Sequence, residues 1–146
     1  MIKIISTPIG PLTIESAGGY LTGLSFQAGN LQNGSDEVLE LCEQELAAYF
    51  EGKLKEFTVP IRPTGTPFRM TVWEELRRIP YGETATYKEI AQRIGNPKAV
   101  RAVGGANHHN PIAIIIPCHR VIGADGSLTG FGGGIDIKRR LLELES

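Results

Sequence analysis

Between Ile2 and Phe26 apolar residues come in short alternating stretches, interrupted by Pro8-Ile9-Gly10-Pro11 and by Gly18-Gly19. Turn residues at that spacing predict a small antiparallel meander. Ala28 to Gly34 reads as loop. Ser35 follows as an N-cap, with Asp36 and Glu37 at the positive end of a helix whose inner face is Leu39, Cys42, Leu46 and Phe50. Cys42 therefore reads as core. Gly52 ends this helix, and Phe57 to Ile61 predicts an edge strand stopped by Pro63.

The period changes to helical after Thr66-Pro67, a cap followed by proline at the first helical position, with Phe68, Val72, Trp73, Leu76 and Ile79 on one face. A turn at Pro80-Tyr81-Gly82 leads to Thr86 and Glu89 at capping-box spacing, with Ile90, Ala91 and Ile94 as the inner side of a short helix closed by Gly95. Asn96-Pro97 repeats the cap-plus-proline signal and opens a helix through Ala99, Val100, Ala102 and Val103 to Gly104-Gly105-Ala106. Two short helices joined by a glycine turn make a helix-turn-helix. Around Arg101 the second helix is almost bare, which suits either close approach of a nucleic-acid backbone or tight packing in the core. Ile112 to Ile116 reads as a short strand running into a turn at Pro117-Cys118-His119-Arg120, and Asp125-Gly126 marks another turn. Gly130 to Gly134 is too glycine-rich for regular structure. Asp136 caps a final helix with Ile137, Leu141 and Leu142 inward and Lys138, Arg139 and Arg140 outward. The expected fold is α+β, with a strand-rich lobe over residues 1–65 (antiparallel sheet plus helix) and a helical lobe over 66–146 carrying the helix-turn-helix and the Pro-Cys-His-Arg turn.

Length adds that 146 residues suit one domain, or two small lobes, at about 150 residues per domain. The uncharged apolar run Pro111 to Cys118 is far short of the ~20 residues that span a membrane. The start at Met1-Ile2-Lys3 lacks the basic and apolar regions of a secretory signal, so a cytoplasmic location and free thiols at Cys42 and Cys118 are expected. The formal net charge of -1 conceals an asymmetry: residues 1–66 hold four Lys and Arg against eight Asp and Glu, the remainder eleven against eight. From Thr84 to Arg120, Lys88, Arg93, Lys98, Arg101 and Arg120 face only Glu89. Such a stretch attracts a polyanion, and it equally suits a solvated helical face.

Chemistry enters with Cys118-His119. A free thiol with a pKa of about 8.5 is mostly protonated at neutral pH, and the thiolate is the nucleophile, so activation needs a base. His119 fits that role directly or through one water, and a carboxylate behind the imidazole would fix its tautomer. Glu143 and Glu145 on the last helix are the candidates.

The longer pattern is more specific. Asn110-Pro111, an aliphatic run, and Pro117-Cys118-His119-Arg120-Val121, preceded by Arg101-Ala102-Val103-Gly104-Gly105-Ala106 and by Pro80-Tyr81-Gly82-Glu83-Thr84 and Thr86-Tyr87, resemble the O6-alkylguanine-DNA alkyltransferase family. The likeness covers roughly Phe68 to Glu145. It implies irreversible transfer of an alkyl group from O6-alkylguanine in duplex DNA, and secondarily from O4-alkylthymine, to Cys118, one lesion per molecule. It makes His119 the base acting through water, Glu145 its carboxylate, Asn110 the tie of the turn, and Tyr87 the neighbour of the guanine ring. Arg101 fills the gap left by the extruded base, in a minor-groove approach with Thr86, Ala102, Gly104, Tyr87 and Arg120 on the DNA side. Val121, Phe131, Gly132, Ala113 and Trp73 line the expected pocket. Ala113 stands where some relatives have proline, and Phe131-Gly132 where some have Tyr-Ser, which leaves the pocket width open. No cofactor and no metal are implied, and a monomer with no membrane contact is expected. The rival readings are a helix-turn-helix protein that binds DNA without chemistry, and a cysteine hydrolase or thiol redox sensor built on Cys118 and His119.

Overall fold

The computed structural model describes residues 1–26, 32–128, 131 and 133–146. Of the loop expected over Ala28–Gly34, residues 28–31 lie outside the described ones, as do Gly130 and Gly132 of the glycine-rich segment. The chain divides into two compact units, Met1–Thr64 and Gly65–Ser146, and the fold class is α+β.

In the first unit β1 (Ile2–Thr7), β2 (Gly10–Ala17) and β3 (Tyr20–Ser25) form an antiparallel meander in the order β1-β2-β3. Ala17 pairs with Tyr20 across a two-residue loop, and both loop residues, Gly18 (φ 59) and Gly19 (φ 84), lie in the left-handed region. A type I′ turn needs positive φ at both positions, so this dipeptide sets the hairpin register. Leu12, Ile14, Leu21 and Leu24 turn one sheet face toward Leu39, Cys42, Leu46 and Tyr49 of α1 (Glu37–Phe50). Tyr49, rather than the expected Phe50, is fully buried. Burial, with Glu45 and Glu43 nearby, pushes the Cys42 thiol up to about 12.

Two expectations here are corrected. The N-cap of α1 is Asp36, whose carboxylate accepts from Leu39 N at 2.9 Å, and not Ser35. A carboxylate is the stronger acceptor and sits one residue closer to the open amides. The edge strand over Phe57–Ile61 shrinks to a single parallel bridge between Ile61 and Leu21. Pro60 has no amide proton, and the amides of Thr58 and Val59 donate instead to the buried Glu45 carboxylate, at 3.0 and 2.8 Å.

In the second unit α2 (Pro67–Leu76) begins at Thr66, whose hydroxyl accepts from Arg69 N, and buries Val72, Trp73 and Leu76. The Trp73 indole donates to Ala106 O at 2.8 Å, tying α2 to α4 (Val100–His108). The full capping box of Thr86 and Glu89 opens α3 (Tyr87–Arg93). Asn96 does not cap α4: Ala99 N donates to Asn96 O in a turn around Pro97, and the helix starts three residues later than the cap-plus-proline signal implies. A two-residue strand, β4 (Ala85–Thr86), pairs in parallel with β5 (Val121–Ile122). The final helix, α5 (Ile135–Glu145), begins after Gly134, with Asp136 in its first turn rather than at its cap. Its inner face is Lys138, Leu141 and Glu145; Lys138, expected outward, is buried, and Ile137 is only half-buried. Among the described residues no helix is long and apolar enough to cross a membrane.

Candidate active site

The segment before Cys118 is a pair of tight turns, not the strand its aliphatic residues suggest. Ile115 N donates to Ala113 O at 2.8 Å around Ile114, whose φ of 72 makes this a γ-turn of the strained, positive-φ kind. Cys118 N donates to Ile116 O at 2.7 Å around Pro117 (φ -80, ψ 65), an inverse γ-turn. A buried β-branched residue at positive φ costs on the order of 1–3 kcal/mol and persists only where its surroundings impose it. Asn110 supplies that constraint: its Nδ2 donates to Ile116 O at 2.8 Å and its Oδ1 accepts from Ile112 N at 3.0 Å.

Cys118 opens a 3-10 turn, Cys118–Arg120, and is 4% exposed. Burial pushes its thiol up to about 11, opposed by a hydrogen bond with the Asn110 side chain and by the charge of Lys138. At neutral pH the group is a thiol, so an attack by sulfur must be coupled to loss of its proton. His119 Nε2 lies 2.7 Å from Glu145 Oε2, both side chains wholly enclosed. Glu145 also accepts from Arg120, Nε to Oε1 at 2.8 Å and Nη2 to Oε2 at 3.1 Å. Those bonds favour the carboxylate, which only accepts, so Nε2 carries the imidazole proton and Nδ1 is left as an acceptor. Nδ1 is buried and has no hydrogen-bond partner among the described residues. Desolvation holds His119 below its ordinary 6.5 against the pull of Glu145, with Arg120 and Lys138 reinforcing the downward shift. Of the two acidic candidates on α5, Glu145 meets the imidazole and Glu143 is exposed.

Around this dyad the structure gathers residues from several elements. Lys138 Nζ donates to Val121 O at 2.5 Å and lies 5.9 Å from the centroid of the Tyr87 ring. Desolvation brings Lys138 down to about 8, with Cys118 pulling the other way. Asn107 is buried and its Nδ2 donates to Cys118 O at 3.3 Å. The β4–β5 pairing sets Ala85 opposite Val121 and Thr86 opposite Ile122, so Tyr87 starts α3 directly beside the residues that follow the 3-10 turn. The main-chain oxygens of Val121, expected to line the pocket, and of Cys118 accept here from Lys138 and Asn107.

Other expected site residues fall into place unevenly. Arg101 and Ala102 are exposed on α4. A Cβ added at Gly104 or Gly105 would meet nothing within 4 Å, so core packing is not what keeps these positions small. Arg120, expected among the DNA contacts, is 7% exposed, and its Nη1 donates to Ile79 O at 2.7 Å while the rest of the fork binds Glu145. Trp73, expected in the pocket, is fully buried between Gly65 and the Ala106 carbonyl. Ala113 and Phe131 are buried, Thr86 is taken up by its cap, and Gly132 lies outside the described residues. Lys138 and Asn107 are the site residues sequence reasoning missed. Lys138 carries a signal in its spacing, since it shares one face with Leu141 and Glu145 at i, i+3 and i+7. Asn107 has none beyond its place in an apolar helix turn.

A helix pair and a buried thiol followed by an enclosed His119–Glu145 pair, housed in one unit of an α+β chain, define the class of proteins built around a single buried cysteine. Comparison with known proteins narrows this. Residues 67–146 match the family model of the 6-O-methylguanine DNA methyltransferase DNA binding domain, and residues 2–63 match that of the 6-O-methylguanine DNA methyltransferase ribonuclease-like domain. The methylated-DNA--protein-cysteine methyltransferase of Methanosarcina mazei is 64% identical, over 97% of this chain and 94% of its own. The protein of that name from Mycobacterium bovis is 52% identical over 98% and 90%. A crystal structure of Mycobacterium tuberculosis OGT in complex with DNA superposes with a TM-score of 0.90 at 53% identity, covering 99% of this chain and 91% of that one. The chain belongs to the 6-O-methylguanine DNA methyltransferase family, and is a transferase.

Proposed function

We propose that this protein repairs duplex DNA by moving the alkyl group of O6-alkylguanine, and secondarily of O4-alkylthymine, onto Sγ of its own Cys118, one lesion per molecule. The observation that carries the reading is the buried Cys118 turn with an enclosed His119–Glu145 pair whose Nδ1 is open to a proton. The target oxygen lies inside a stacked duplex, so the nucleotide is extruded at a cost of a few kcal/mol. Arg101, exposed on a helix whose Gly104 and Gly105 leave room for a close backbone, fills the vacated space from the minor groove. The Cys118 proton passes to His119 Nδ1 through one water as sulfur attacks the alkyl carbon, and the carbon–O6 bond breaks. Tyr87 stands as the phenolic donor that relieves the charge on the departing guanine. The thioether has no leaving group to expel, which is why turnover stops after one event. Family membership and the DNA complex of the Mycobacterium tuberculosis relative support DNA as the partner.

The test is intact-mass and peptide analysis after incubation with a duplex bearing one O6-methylguanine. The expected result is one added methyl on Cys118, none in Cys118→Ala, and no second event per molecule. Binding without mass gain would favour a regulator, and catalytic release of product a hydrolase. Arg101→Ala should slow repair in duplex far more than reaction with the free base, and equal losses would remove Arg101 from extrusion.

A further inference from the structure

Two buried ionisable side chains, His119 and Arg120, meet at Glu145, and their arrangement is lopsided. Oε2 is shared between His119 Nε2 and Arg120 Nη2, while Oε1 belongs to Arg120 Nε. The guanidinium is held from a third side by Ile79 O and lies 5.8 Å from the centroid of the Tyr81 ring, whose hydroxyl donates to Leu144 O. Arg120 therefore makes a two-pronged ion pair inside the protein, and His119 makes only a single hydrogen bond to the same carboxylate.

We infer that Arg120 is a positioning residue for the proposed reaction: by compensating Glu145 it keeps His119 a neutral imidazole whose Nδ1 can accept a proton. The inference rests on the reading of His119 as the base for Cys118. A carboxylate 2.7 Å from an imidazole, with no other partner, holds that imidazole as the cation. Here burial opposes the charge first, and Arg120, matched to the same carboxylate, adds to that opposition, so protonating His119 would add to the buried positive charge. The charged and titratable groups facing His119 are Glu145 and Lys138 from α5 and Arg120 and Cys118 from its own turn. Two of these are cations, one an anion, and the thiol is neutral at pH 7. Removal of Arg120 takes away one of the two cations that oppose a charge on His119 and leaves the pull of Glu145, which favours a proton on Nδ1. An imidazolium donates at both nitrogens, and its capacity to take the Cys118 proton is lost.

The experiment uses the full chain labelled with 15N-histidine and follows the ring nitrogens of His119 by NMR from pH 5.5 to 8.5. In the wild type His119 is expected neutral at pH 7, protonated on Nε2. In Arg120→Gln it is expected as the imidazolium at pH 7, its titration midpoint raised by at least about one pH unit, which corresponds to about a ten-fold change in proton affinity. Arg120→Lys, which keeps the charge but not the fork, should fall between. Arg120→Gln/Glu145→Gln removes both charges and should return His119 to the neutral form. A folded Arg120→Gln or Arg120→Lys protein whose His119 titrates as in the wild type overturns the inference. Should Arg120→Gln not fold, Arg120→Lys and the double variant decide it by the same readout. Absence of methyl transfer from DNA with the predicted histidine behaviour would overturn the proposed function and leave this inference standing.

Discussion

Lys138 Nζ donates to the main-chain oxygen of Val121, and the charge of this buried ammonium bears on the buried Cys118 thiol. Each favours the charged form of the other: desolvation takes the lysine to about 8 and the thiol to about 11, and their mutual attraction opposes both shifts. Lys138→Met is expected to slow alkylation of Cys118 by iodoacetamide at pH 7.5 by about ten-fold, one pK unit of lost stabilisation. In the wild type the rise of rate with pH should become shallower above about 8, where the lysine gives up its proton, and in the variant it should not. Identical pH profiles for the two proteins would dissociate lysine from thiol.

His119 makes stability depend on pH in a defined direction. Its folded value lies below 6.5, so under that pH the unfolded chain takes up a proton that the folded protein refuses. Stability therefore falls as the pH drops through 6.5. The urea midpoint is expected to be lower at pH 5.5 than at pH 7.5, and the difference should shrink in His119→Gln. Asp36, also lowered, acts only at and below 3.8, outside this window, and His108 and His109 are exposed. A midpoint difference unchanged by the substitution would assign the acid sensitivity elsewhere.

The parts of the fold legible in sequence were those with local causes. Thr66-Pro67, the Thr86–Glu89 box and Gly18-Gly19 each act through backbone groups within three residues, and each has its structural counterpart. Leu39, Cys42 and Leu46 repeat at helical spacing because one face meets a sheet. What stayed hidden depends on partners distant along the chain. Lys138 reads as a solvent residue until Val121 O is brought to it, and Arg120 reads as a surface cation until Glu145 and Ile79 O close around it. Ile112 to Ile116 is rich in strand formers, yet Asn110 bends it into turns that propensity disfavours. The parallel pairing of β4 with β5 joins segments too short to show any period.

Asn110→Ala would strip the Ile112 amide and the Ile116 carbonyl of a partner in a mostly buried segment. A loss of about 1–3 kcal/mol is expected from urea unfolding. Since the same side chain also hydrogen-bonds Cys118, the iodoacetamide rate should fall as well. Asn110→Asp, which keeps the acceptor toward Ile112 N but not the donor toward Ile116 O, should recover only part of the stability.

Gly65 lies against Trp73 so closely that a Cβ there would stand 2.4 Å from the indole ring. Gly65→Ala must therefore displace the ring or the backbone, and a destabilisation of about 1–3 kcal/mol is expected. Trp73→Phe, which drops the bond to Ala106 O, should cost about 1 kcal/mol or more and loosen the end of α4. Hydrogen exchange of the α4 amides is the direct measure, and protection equal to wild type in both variants would free α4 from α2.

The two-rung ladder of β4 and β5 gives the molecule its tolerance. Thr86 is at once a rung opposite Ile122 and the cap of α3, and Val121 is at once the other strand and the successor of Arg120. Helix α3 and the sulfur are thus referenced to a common datum only a few atoms long, with little slack to accumulate between them. A slip of one rung would carry Tyr87 away from Lys138, so misregistration would shift the start of the helix and the turn against each other in a single step instead of by degrees.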